Sequence, residues 1–258
     1  MRKKLVIIGA GGFARETAQA AHDAGLHLTG FLDDDPALWG KKIDGVPVLG
    51  GTDRARELRD VSFVVCVGNP RDPASRARLV GRLGLPERRY TTVVHPTALV
   101  SDTSSIGPGT VLLAHTVLTA SVRVGRHVAV MPQTVLTHDD EIGDFATLAS
   151  GVRIGGASRI GRGVYLGAGA LVRENTAIGD WSLIGMGAVV LGNVPPGEVW
   201  VGNPATRLRE APPPSLEQLE ADGEKPAEPA DAPSGPAEAS SDATEAGSEP
   251  AGARGERD

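Results

Sequence analysis

His138-Asp139-Asp140-Glu141 is the densest run of ionisable side chains between Val94 and Pro195, and it begins with the residue type whose ordinary pKa lies closest to neutrality. A carboxylate beside a histidine can fix one ring tautomer and make the other nitrogen more basic. That suits removal of a proton from an amine or hydroxyl as it attacks a thioester. The oxyanion formed in that attack needs an N–H donor, and a glycine leaves its own accessible. His138 is the candidate base, Asp139 its orienting partner and Gly156 the candidate donor. A second stretch suits a different task. In Gly9-Ala-Gly-Gly-Phe-Ala14 the glycines let backbone N–H groups at a helix N-terminus approach a phosphate, with Ala14 in place of the third glycine of G-x-G-x-x-G. Asp33, twenty-one residues beyond Gly12, can accept from a ribose or sugar hydroxyl, and Gly68-Asn69 marks a second strand end at the same crevice. Alone this pattern suggests NAD, with a ligand-free strand-to-helix turn as the bland alternative.

The elements that must carry the first group are written in a repeat. From Val94 to Val190 an aliphatic residue returns every six positions through seventeen consecutive hexads, and the residue four places after each is small or β-branched except at Asp140. A period of six fits neither a helix nor a flat strand and is the signature of a hexapeptide β-helix. Three hexads make one triangular coil, so residues eighteen apart stack at about 4.8 Å. That register sets His138 at an outward-facing corner, between Ala120 one coil earlier and Gly156 one coil later, over an opening large enough for a substrate. Asp140 falls where the repeat points inward; it either bonds turn backbone or belongs to the catalytic network, and the pattern does not choose. His115 and His127 lack a paired acid and His95 precedes Pro96 at the domain junction, and all three read as surface or corner residues.

The elements that must carry the second group precede the repeat. Strands are predicted at 3–9, 27–32, 46–49, 62–68 and 91–94, with helices near 13–24, 52–59 and 73–83, an alternation that implies a half-sized, parallel, Rossmann-like sheet. No second α/β domain follows to hold a hydride acceptor, which argues against a dehydrogenase. The coil ends at the turn-rich Val194-Pro-Pro-Gly197, and the residues to Arg209 are expected to cover its open end. We therefore divide the chain into an α/β nucleotide-binding domain, 1–92; a β-helix domain, 93–209; and a tail, 210–258, of Pro, Ala, Glu, Ser and Gly expected to be disordered.

Composition narrows the function further. The net charge is −6, but residues 211–258 hold twelve acidic and three basic side chains, so the remainder carries only +3. No basic stripe with interleaved aromatics suggests nucleic acid, and no amphipathic cationic helix suggests a membrane surface. The chain lacks an 18-residue apolar run and a signal-peptide pattern, so a cytoplasmic location is expected. The single Cys66 lies in an apolar run and reads as a buried thiol, and the six histidines show no zinc-ligand spacing, so no metal is expected.

Taken together, IIGAGGFARE, FLDDD, VCVGN, VHPTA, THDDEIGDF and VGNPA resemble the sialic acid O-acetyltransferase and sugar-nucleotide N-acetyltransferase family over residues 4–208. The resemblance implies a Rossmann-like domain joined to a left-handed parallel β-helix, assembled as a homotrimer with acetyl-CoA in the groove between neighbouring β-helices. It implies His138 as general base oriented by Asp139, and a sugar nucleotide against Gly11, Gly12, Phe13, Asp33, Asp34 and Gly68. It also implies a cofactor path along Thr147, Ala168 and Met186; Ser150, Ala168 and Met186 form one column at eighteen-residue spacing. Thr147 replaces a histidine that some relatives use for the cofactor, and Asp140 stands where relatives often carry Cys. The expected function is acetyl-CoA-dependent N-acetylation of a nucleotide-linked 4-amino sugar of the UDP type. O-acetylation of sialic acid or a related sugar is the alternative. A noncatalytic sugar-nucleotide-binding trimer and an NAD enzyme are more distant ones.

Overall fold

A computed structural model describes residues 4–211, which fall within one compact unit. The disordered tail expected from 210 onward lies outside these residues except for Glu210 and Ala211, which belong to the cap described below. Three parallel strands open the chain in the order β2-β1-β5: β1 is Lys4–Ile8, β2 is His27–Leu32, and β5 is Val61–Val65. Strand β1 sits in the middle because Leu5 to Ile8 are all buried, as a continuous apolar run in a parallel sheet requires. Helix α1, Gly12–Asp23, packs on one face and α2, Ser75–Leu83, covers the other side, each through a small-residue or leucine stripe. Two expected strands behave differently. Residues 46–49 divide between β4, Val46–Pro47, in a two-residue antiparallel hairpin with β3, Lys42–Ile43, and a single parallel bridge from Val48 to Phe31 of β2. The segment at 91–94 divides: Tyr90 bridges Phe63 of β5 in parallel and the Thr91 N–H donates to the Phe63 carbonyl, whereas β6, Val93–Val94, pairs with Val111–Leu112 and begins the solenoid.

Beyond β6 the chain winds as a parallel solenoid of three sheets. Pairing is at a shift of eighteen as far as Val189–Val190, for example Val117 with Val135 and Leu136 with Ile154, so the hexad register read from the sequence is the structural one; at the closing coil the shift is sixteen, as Leu183 pairs with Val199. Each two-residue strand turns one aliphatic side chain inward, and these stack as a single apolar column from Leu112 to Val194. The corners explain the remaining positions. His115, Ser121, His127, Gln133, Asp139, Phe145, Ala157, Asn175 and Trp181 all have φ between 53° and 63°, and they recur at multiples of six. From Gly109 to Gly187 each corner therefore holds one left-handed residue, an arrangement Gly, Asn, Asp and His adopt at least cost, whereas the first two corners, at Thr97 and Thr103, do without one.

One sheet, with outward residues Val93, Val111, Ala129, Thr147 and Tyr165, lies beneath the α/β layer; Val93, Val111 and Leu113 join the α1 core. A second presents Leu99, Val117, Val135, Arg153, Leu171 and Val189 outward, mostly apolar, with Leu99 65% and Leu171 39% exposed. The third presents Ser105, Arg123, Glu141 and Arg159, with Glu141 paired to both arginines. The antiparallel hairpin of Glu198–Val201 and Thr206–Glu210 closes the last coil, and Trp200 and Ala205 pack on the core as the expected end cover.

Candidate active site

The corner between the second and third sheets carries the ionisable run. Asp139 takes the left-handed turn position, φ 62°, and its carboxylate lies 2.9 Å from Nδ1 of His138. That leaves Nε2 as the free ring nitrogen. Both side chains are open, His138 66% and Asp139 60% exposed. The ring spreads across Gly156 one coil later: a Cβ at that glycine would fall 2.4 Å from Nε2 and 2.5 Å from Cε1. Gly156 is thus the floor on which the imidazole rests and is itself buried; its N–H has no acceptor among the described residues.

Asp140 is wholly buried just inside the same corner. One oxygen accepts from the Thr137 N–H at 2.8 Å and the other from the Ser158 N–H at 3.0 Å, so the first of the two sequence readings, a bond to turn backbone, is what the geometry displays. Burial pushes its carboxyl up to about 7, against the pull of those two donors and of His138.

The glycine-rich turn sits at the carboxyl end of the sheet. Gly9 has φ 104° and a Cβ there would lie 2.8 Å from the Cys66 carbonyl oxygen, so only glycine fits where β1 and β5 deliver their loops side by side. Gly11 caps α1 without a side-chain bond, and above Gly11 and Gly12 there is open space. The N–H groups of the first turn have no intrahelical partner, which makes this an anion-suited end. Asp33 accepts from the Ala10 N–H at 2.8 Å and the Asp35 N–H at 2.9 Å, leaving lone pairs for a hydroxyl. Asp34 reaches the same rim but is occupied: Thr52 donates to one oxygen through N and Oγ1, and Arg82 donates to the other at 2.6 Å. Burial opposes its ionisation, yet those donors outweigh burial and hold the carboxyl below its ordinary range. Phe13 packs on the α1 core, and Gly68 lies at the end of β5 near Arg76. Cys66 is buried and its thiol is pushed up to about 12, as an inert core sulfur should be.

The proposed cofactor column divides. Ala168 and Met186 line the corner between the first and second sheets, with Met186 81% exposed. Thr147 does not join them: its hydroxyl accepts at 2.8 Å from Arg76 on α2, beneath the α/β layer. Within one chain Ala168 and Met186 occupy a different corner from His138, with the apolar second sheet between them. Two residues near the crevice had not been singled out. Trp39 is exposed at the rim, its Nε1 donating to the Asp33 carbonyl at 2.8 Å; the signal was a lone tryptophan just after FLDDD in a chain only 3% aromatic. Arg76 is buried and donates to the carbonyls of Val67, Phe145 and Ala146, a partnership across about 70 residues that no local pattern announces.

Residues 4–83 match the family described as the PglD N-terminal domain, and residues 157–192 match the bacterial transferase hexapeptide family. The acetyltransferase domain of PglB from Neisseria gonorrhoeae is 31% identical over 80% of this chain and 100% of that one, with a TM-score of 0.72. The chain belongs to the PglD-like hexapeptide acetyltransferases. A second structure in this family, the same PglB domain in complex with acetyl coenzyme A, is 32% identical at the same TM-score over 81% of this chain and 100% of that one. A mutant of GDP-perosamine N-acetyl transferase from Caulobacter crescentus, in complex with CoA and GDP-perosamine, is 25% identical over 80% of this chain and 97% of its own, with a TM-score of 0.73. UDP-N-acetylbacillosamine N-acetyltransferase from Bacillus subtilis is 36% identical over 117 residues, which are 43% of this chain and 52% of that enzyme, so the match spans about half the relative's length.

Proposed function

We propose that the protein transfers the acetyl group of acetyl-CoA to the amino group of a nucleotide-linked 4-amino sugar of the UDP type. The observation that carries this is the His138–Asp139 pair at 2.9 Å, with the other ring nitrogen free over a residue that has no side chain. The amine nitrogen forms a bond to the thioester carbonyl carbon while Nε2 takes the proton it sheds; the carbon–sulfur bond then breaks and the proton passes to the leaving thiolate. Asp139 stabilises the imidazolium in between and keeps Nδ1 protonated. The Gly156 N–H, which has no other acceptor among the described residues, is assigned to the oxyanion.

The nucleotide's diphosphate is assigned to the N-terminus of α1 at Gly11, Gly12 and Phe13, its ribose or sugar hydroxyls to Asp33, and its far edge to Asp34 and Gly68. Because Asp34 is already neutralised by Arg82, its part is to shape the rim. Acetyl-CoA is assigned to Ala168 and Met186, with Thr147 at a distance behind Arg76. Since those residues and His138 lie at different corners of one chain, the reading needs a second copy, packed through the apolar second sheet, to bring the Met186 corner of one chain to the His138 corner of the next. A homotrimer with three such grooves fits. The relatives' printed substrates, an amino sugar on GDP in one and a bacillosamine on UDP in another, support an amine acceptor.

Incubation with acetyl-CoA and a panel of UDP- and GDP-linked 4-amino sugars and free sialic acids, with product mass and alkali stability as readout, tests the reading. The expected product is a singly acetylated, alkali-stable amide on the nucleotide sugar. An alkali-labile ester on sialic acid would instead establish the O-acetyltransferase alternative.

A further inference from the structure

The repeat has one residue that its own pattern forbids. The inward column at that corner reads Val122, Asp140, Ser158 and Thr176, and only Asp140 brings a carboxylate into it. Its two oxygens join two different turns: Thr137 precedes His138 on one, and Ser158 follows Gly156 and Ala157 on the next. The two segments are also joined where the His138 carbonyl accepts from the Ala157 N–H at 2.8 Å, the Ser158 carbonyl from the Glu141 N–H at 2.9 Å and the Ile154 carbonyl from the Thr137 hydroxyl at 2.8 Å. Without the carboxylate, both the Thr137 and the Ser158 N–H would lose their acceptors inside the core.

We propose that Asp140 is a positioning residue: its buried carboxylate clamps the turn that carries His138 to the turn that carries Gly156, and so sets the imidazole at its height over that glycine. The proposal rests on His138 being the base. A carboxylate accepts from both N–H groups at once, whereas a protonated carboxyl must aim its own O–H somewhere, and both oxygens already face donors. The clamp is therefore tightest when Asp140 is ionised. The charged groups around it are His138, which favours ionisation, and Asp139, which opposes it. The coil below offers Val122 and the coil above Ser158, while Glu141 turns outward to Arg123 and Arg159. Titration of Asp140 near neutrality should then appear in turnover without any change in the residues that touch substrate.

The test compares kcat, KM and their pH profiles in the full chain for wild type, Asp140→Val, Asp140→Asn and His138→Ala. Asp140→Val copies the residue one coil below, and Asp140→Asn keeps the size and one acceptor. The expected result is a kcat about ten- to a hundredfold lower in Asp140→Val with KM for both substrates unchanged, an intermediate kcat in Asp140→Asn, and in both a pH profile that departs from that of wild type. Wild-type kcat and an unaltered pH profile in a folded Asp140 variant, alongside an inactive His138→Ala, would overturn the clamp and leave the base standing. Full turnover in His138→Ala would overturn the base, and the clamp with it. Should the valine variant fail to fold, the asparagine variant alone decides by the same criteria.

Discussion

A buried carboxyl that keeps its proton to about pH 7 in the native chain but releases it near 3.8 when unfolded makes the native state the stronger proton binder between those values. Its favourable contribution is therefore present at low pH and is lost as pH rises through about 7. Urea unfolding of wild type and Asp140→Val at a series of pH values should show wild type losing on the order of 3 kcal/mol relative to the variant between about pH 4 and pH 8. A difference that stays constant with pH would mean that Asp140 does not titrate in that window. The residue scale also marks what sequence could and could not reveal. The eighteen-residue register put His138 over Gly156 because stacking in a solenoid is a matter of counting, and the pairing ladder has that count. It could not reveal that Asp34 is held by Arg82 and Thr52, or Thr147 by Arg76. Those partners lie 48, 18 and 71 residues away and arrive only through tertiary packing.

At the scale of elements, the tie between α2 and the solenoid is one buried guanidinium. Arg76 has no carboxylate partner among the described residues; it bonds three carbonyls and a hydroxyl, and its Nε has no partner. Burial draws its pKa down to about 10, so it remains charged at neutral pH. Arg76→Met keeps most of the apolar volume but strands the acceptors on Phe145, Ala146 and Val67. The expected loss is about 2–4 kcal/mol of unfolding free energy, measured by urea denaturation, with the solenoid's circular dichroism retained. A loss below about 0.5 kcal/mol would show that water replaces the guanidinium without cost. Secondary structure was legible where one local rule governs, as in β1, α1 and every hexad. It was not legible at 46–49 and 91–94, where an apolar run could join either of two sheets and tertiary packing chose.

Among the described residues the molecule offers a mostly apolar outward sheet with Leu99 and Leu171 exposed, flanked by the His138 corner on one side and the Met186 corner on the other. If copies pack there, charges on its two exposed leucines should separate them. Sedimentation is expected to give three chains per particle for wild type and one for Leu99→Glu/Leu171→Glu, with acetyl transfer lost in the single chain. A wild-type protein that sediments as one chain while transferring acetyl groups would refute a site shared between copies. Among the described residues no helix is long and apolar enough to cross a membrane. The most direct measurement of the central claim is thiol release from acetyl-CoA in the presence of the best nucleotide amino sugar, by wild type and by His138→Ala. For His138→Ala, kcat is expected to fall by about a hundredfold to ten-thousandfold with the thermal midpoint unchanged, since the side chain is exposed. Release at the wild-type rate would contradict it.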